Sequence, residues 1–197
     1  TAGTNYNYIY MTHEDGGGES NNFWITIPGR SEEYVNPSSV NQSGIWRVIT
    51  ALGGNNPLPV TTPVTIAAGA RLDLSGNHQQ IAALTGGVGA TVTNSHATIN
   101  SILTIGGSSG SATFAGTISD GATSKIAVAK TGGGTQTLSG ANTYSGGTTV
   151  SAGTLVGASA GALGTGPVSV SGGTLAIRVD ATLGATLVSG GGRFVLD

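Results

Sequence analysis

Three kinds of residue in this chain could do chemistry: the histidines, the carboxylates and a group of aromatics. His13, beside Glu14 and Asp15, is a candidate metal ligand; its alternative is a solvated turn. His78 and His96 would stack on one another if the chain coils with a period close to their separation. No cysteine or nearby carboxylate completes a metal set around them. The loop HEDGGGES (13–20) places Glu14, Asp15 and Glu19 close together, making them weak candidates for calcium, which needs six to eight oxygens from a shaped loop. Neither EF-hand spacing nor the calcium-binding nonapeptide repeat is present, so a solvated hairpin loop is the simpler expectation and no metal or other cofactor is assigned.

Acid–base hydrolysis or elimination of polysaccharide needs acids clustered on one face. Beyond residue 60 the acids are Asp73, Asp120, Asp180 and Asp197. Only Asp180 and Asp197 are spaced to lie one coil apart, and the flanking Arg178 and Arg193 read them as surface ion pairs. No phosphate cradle is expected from GGSSGSATFAG (106–116) or TGGGTQT (131–137), because no Lys-Ser/Thr or helical pattern follows. No serine-nucleophile elbow is expected either. No catalytic residue is assigned, and the chain is not expected to be an enzyme.

The aromatics are unevenly placed. Tyr6, Tyr8, Tyr10, Phe23, Trp24, Tyr34 and Trp46 all precede residue 50, together with five of the nine acids. Tyr8, Tyr10, Trp24 and Trp46 are the candidate ligand or interface residues. They would pack a small sheet, meet another subunit, or stack on sugar rings.

The elements that must position these residues follow from composition. The chain has 197 residues, 35 of them glycine and only 16 charged, with net charge −2. Glycine this frequent disfavours long helices, whereas threonine, valine and isoleucine favour strands. Seven scattered basic residues form no stripe for nucleic acid. Cysteine is absent, which excludes disulfides and cysteine-bound zinc. No apolar run is long enough to cross a bilayer as a helix, so no transmembrane segment is expected. The opening TAGTNYNYIY lacks the basic and apolar regions of a signal peptide and begins without methionine. A processed or excised piece is therefore expected.

Three regions emerge: 1–52, an aromatic and acidic β cap or the end of a β-sandwich module; 53–63, a proline-bearing linker; and 64–197, a repeat. Ile66-x-x-Gly69, Val150-x-x-Gly153, Val170-x-x-Gly173 and Val188-x-x-Gly191 each lead into further alternating apolar residues. The last three anchors recur at nearly constant spacing. A strand, a glycine turn and a second strand cannot bury their inward side chains alone. Stacking successive coils about 4.8 Å apart in parallel register buries them. An all-β fold is expected: a parallel β-solenoid of coils of about 18–20 residues, roughly seven coils in all.

Within it, residues 130–177 resemble the passenger-associated transport repeat of bacterial autotransporters. The resemblance rests on Lys130, Thr131, Gly132, Gly134, Thr135, Thr137, Leu138, Gly140, Asn142, Thr143, Tyr144, Gly146, Thr148, Val150, Gly153, Thr154 and Leu155. The upstream stretch 64–107 is similar to the degenerate coils that precede such repeats. The resemblance implies a right-handed parallel β-helix, outside the cell or on a bacterial cell surface, whose repeat helps the passenger stack and fold during export. It implies no catalytic residues. Residues 8–29 resemble, more weakly, the closing strands of jelly-roll carbohydrate-binding modules.

The function expected is a non-enzymatic extracellular structural element: a stalk, adhesin or fibre. Its partners would be further copies of itself, end to end or laterally, or cell-surface and matrix components. The C-terminal GGGRFVLD stops mid-pattern, which favours end-to-end stacking or a longer parent chain. The alternative is a carbohydrate-binding accessory segment of a secreted polysaccharide-degrading enzyme.

Overall fold

Alternation of apolar and small polar residues at period two dictates short strands with one buried face. The computed structural model describes residues 58–106, 109–178 and 186–196, and the strands β1 (Phe23–Ile25) and β2 (Glu33–Val35). The chain divides into two units between Ser39 and Val40. In the first, β1 and β2 pair antiparallel, with Trp24 opposite Tyr34.

The second unit is a parallel β-solenoid, and the described residues contain no helix. Its first three coils each carry three strands. Coil one holds β3 (Pro63–Ile66), β4 (Arg71–Asp73) and β5 (Gln79–Ile81). Coil two holds β6 (Ala83–Gly86), β7 (Thr91–Thr93) and β8 (Ser101–Ile105). Coil three holds β9 (Ser111–Phe114), β10 (Thr117–Ile118) and β11 (Ile126–Lys130). Later coils carry two strands each: β12 (Thr135–Leu138) with β13 (Thr148–Val150), β14 (Thr154–Gly157) with β15 (Val168–Val170), and β16 (Thr174–Ile177) with β17 (Thr186–Val188). A last strand, β18 (Arg193–Leu196), begins another turn.

Stacking gives three parallel sheets, in the orders β18-β16-β14-β12-β9-β6-β3, β17-β15-β13-β11-β8-β5 and β10-β7-β4. In the repeat region the register is regular. Thr135 faces Thr154, Thr154 faces Thr174, and Thr174 faces Arg193. Coil one keeps the expected spacing, with Pro63 facing Ala83, but coils two and three are longer: Gly86 faces Phe114, and Ser111 faces Thr135. The extra length lies in segments such as 94–100 and 119–125, which leave the ladder at a corner.

The core is a set of columns, one side chain per coil. Ile81, Ile105, Lys130, Val150 and Val170 form one column, and Leu72, Val92 and Ile118 form another. Each fully buried aliphatic side chain contributes about 1.5–3 kcal/mol. Phe114 fits its column because its neighbour there is Gly86, where a Cβ would meet the ring at 2.8 Å.

Candidate functional site

Polar side chains that enter this apolar interior mark where the sequence does something beyond filling space. Lys130, Gln136, Asn142 and Thr148 are all buried, and all lie in one coil and its approach.

Lys130 ends β11 with its side chain directed inward, between Ile105 and Val150. Its Nζ donates to the carbonyls of Thr131 at 2.6 Å and Gly132 at 2.9 Å. The ammonium thus ties down the turn that follows its own strand. Gly132 adopts φ +64°, and a Cβ there would stand 1.9 Å from the carbonyl oxygen of Gly106. The Lys-Thr-Gly string is therefore one device: glycine lets the turn close against the coil before, and lysine holds its carbonyls. Burial lowers the Lys130 pKa from the ordinary lysine value.

Gln136 and Asn142 act between coils. Gln136 Nε2 donates to Leu84 O at 2.9 Å, and its Oε1 accepts from Leu84 N at 3.1 Å. Asn142 Oδ1 accepts from Ile118 N at 2.7 Å, and its Nδ2 donates to Ala162 O. One asparagine thereby joins the coil before its own and the coil after. This coil has no strand in the third sheet, so side-chain bonds replace part of the missing ladder. Tyr144 is fully buried there, its hydroxyl 2.6 Å from Thr148 Oγ1. Burial raises its pKa, and Thr148 offsets only part of that rise.

Of the acids beyond residue 60, Asp73 and Asp120 are described. Asp73 Oδ1 accepts from Ser75 N at 3.0 Å and Ser95 N at 2.9 Å, and Arg71 Nη2 lies 3.4 Å from Oδ2. Burial pushes the Asp73 carboxyl up, but the bonds from Ser95 and Ser75 and the charge of Arg71 outweigh it and leave the pKa lowered. Asp120 Oδ1 accepts from Ile126 N at 2.7 Å, and Oδ2 accepts from Ser145 N at 3.0 Å and Ser145 Oγ at 2.6 Å. Both acids fasten corners.

His78 and His96 lie at one corner of coils one and two. The His96 ring packs against Gly76, where a Cβ would meet it at 2.9 Å. No group of three or more His, Asp or Glu that could hold a metal occurs among the described residues.

Tyr8, Tyr10, His13, Glu14, Asp15, Glu19, Trp46, Asp180 and Asp197 lie outside the described residues. Trp24 lies in β1, with its backbone alone described.

One expectation needs correcting. The string GASAG (157–161) does have the spacing of a serine-nucleophile elbow. An elbow leads from strand into helix. Here β14 leads through a turn to β15, and Ser159 Oγ donates to Gly140 O at 3.1 Å. The sequence reading also passed over Gln136 and Asn94. Their signal was a polar residue at an inward position of an alternating strand or at its end.

The coil bearing these clamps has a recognised sequence. Residues 128–156 match the passenger-associated-transport-repeat family model. The match runs from the middle of β11 into β14, and so includes Lys130, Gln136, Asn142, Tyr144 and Thr148. The passenger repeat suggests an autotransporter passenger β-helix, a type that is typically non-catalytic, and implies a secreted or surface location. No curated protein and no solved structure matches the chain.

Proposed function

We propose that this chain is a non-enzymatic structural β-solenoid of the autotransporter-passenger type. It serves outside the cell or on its surface as a stalk, adhesin or fibre element. The observation that carries the reading is the passenger-repeat coil, whose Asn142 fastens Ile118 of the coil before and Ala162 of the coil after.

The chemistry of the interior supports it. Asp73 and Asp120 spend their oxygens on backbone amides, which leaves them poorly suited to acid–base work. Lys130 spends its ammonium on turn carbonyls. Polar groups used in this way hold a stack together and do not engage a substrate. Further copies of the chain, or surface and matrix components, are the proposed partners.

Display tests this reading. The chain is fused between a signal peptide and an outer-membrane barrel, and intact cells are treated with protease. The expected result is surface-exposed protein with a resistant core covering the passenger repeat. Retention inside the cell, or complete digestion at the surface, would contradict the proposal.

A further inference from the structure

Between β7 and β8 the chain leaves the ladder for residues 94–100, and the fastening of this excursion depends on two imidazoles. His96 Nδ1 accepts from Thr98 N at 3.1 Å and from Ile99 N at 2.9 Å. His78 Nδ1, on coil one, accepts from Ile102 N at 3.0 Å, on β8 of coil two. We propose that this corner is an acid-opened latch, closed only while His78 and His96 are neutral with their protons on Nε2.

The reason is the donor inventory of imidazole. The neutral ring offers one accepting nitrogen, whereas the charged ring carries N–H on both and accepts nothing. Charging either ring turns its Nδ1 into a donor facing a backbone donor at about hydrogen-bond distance. With both rings charged, three amides lose their acceptors together.

The other fastenings of the excursion do not change in this way. Asn94 Nδ2 donates to Ile99 O at 2.8 Å, and Asn100 Oδ1 accepts from Lys125 N at 2.8 Å. Thr123 Oγ1 and Ser124 Oγ donate to the carbonyls of Ala97 and His96. The charged groups around the corner are Arg71 and Asp73 on β4, and Asp120 and Lys125 on coil three. Asp73 also holds Ser95 N, and its lowered pKa keeps that bond in place while the rings charge.

The opening is local, because the described residues contain no other histidine. Its range is Ser95 to Ile102, where Ile99 and Ile102 are already 48% and 40% exposed. Opening in mild acid would free the excursion and widen this apolar surface, with the columns of the later coils unchanged.

The test uses the intact chain, labelled with nitrogen-15, and two readouts. Ring-nitrogen spectra at about pH 7.5 identify the tautomers. Amide protection, corrected for intrinsic exchange, is compared between about pH 7.5 and about pH 5. Nε2–H tautomers are expected in both rings. Protection at Thr98, Ile99 and Ile102 should fall about tenfold more than at Val128 or Leu155. His96→Asn, which can accept at both pH values, should abolish the fall at Thr98 and Ile99 and leave the fall at Ile102. An Nδ1–H tautomer in either ring, or a uniform change in protection across the chain, would overturn the proposal. If His96→Asn opens the corner at both pH values, the tautomers and the Ile102 amide of the unaltered chain still decide it.

Discussion

Gln136 holds the backbone of Leu84, 52 positions earlier, by both its groups: Oε1 accepts the amide and Nε2 donates to the carbonyl. In the stack, Gln136 faces Ala112, and the paired strands set Ala112 beside Leu84. The glutamine therefore reaches past a small neighbour to a coil two levels away. Replacing it with leucine would suit the column, since Leu155 is its partner on the other side, but would strand two buried backbone groups. Gln136→Leu is predicted to cost about 2–4 kcal/mol, read from the shift in denaturant midpoint. A neutral outcome would show that Leu84 finds other partners.

Asn142 offers a graded version of the same experiment. Asn142→Ala removes the links to both Ile118 and Ala162 and is expected to cost about 2–3 kcal/mol. Asn142→Asp keeps an acceptor for Ile118 but loses the donor to Ala162. Its carboxylate would also face a carbonyl, so it should be at least as damaging at neutral pH and recover in acid. Equilibrium unfolding of both variants at two pH values checks the ordering.

Gly153 and Gly133 make a matched pair. Gly153 adopts φ +64°, and a Cβ on it would lie 2.2 Å from Gly132 O and 2.8 Å from Lys130 Nζ. Gly153→Ala is predicted to destabilise by about 3 kcal/mol, from backbone strain and overpacking together. A Cβ on Gly133 meets nothing within 4 Å, so Gly133→Ala should be close to neutral. Thermal unfolding of the two variants side by side tests whether these turns stack as tightly as described.

The pH dependence of stability should carry the signature of Asp73. Its folded pKa is lowered, so its contribution is fully present above the unfolded value near 4. That contribution is lost as pH falls through the lower folded value. Asp73→Asn should therefore flatten the acid limb of a stability–pH curve. It should have its largest effect near neutrality and little once the pH is below the lowered folded value.

Much of the fold was legible because a solenoid repeats its instructions. The alternation in IAVAK and TLVG, and the glycine anchors at 153 and 173, specify strand, turn and strand with few alternatives. Coil length upstream was less legible. The corner excursions 94–100 and 119–125 are held by single side chains, Asn94 and Asp120, and these break no local pattern. The clamps were hidden for a related reason. Lys130 and Gln136 look like ordinary surface residues until the register shows that they point inward, between Ile105 and Val150 and beside Leu155 respectively. The histidine corner was less legible: the spacing suggested that His78 and His96 stack, whereas the register seats the His96 ring against Gly76 and brings His78 to Ile102.

The register of the passenger-repeat coils tests the account most directly. Thr154 and Thr174 face each other on neighbouring coils, at the separation of adjacent strands, about 4.8 Å, which a disulfide can span. The double variant Thr154→Cys, Thr174→Cys should oxidise readily to a single intramolecular bridge and gain stability. The slipped pair Thr154→Cys, Ala176→Cys should remain reduced. Equal bridging of the two pairs, or bridging of the slipped pair alone, would contradict an in-register stack.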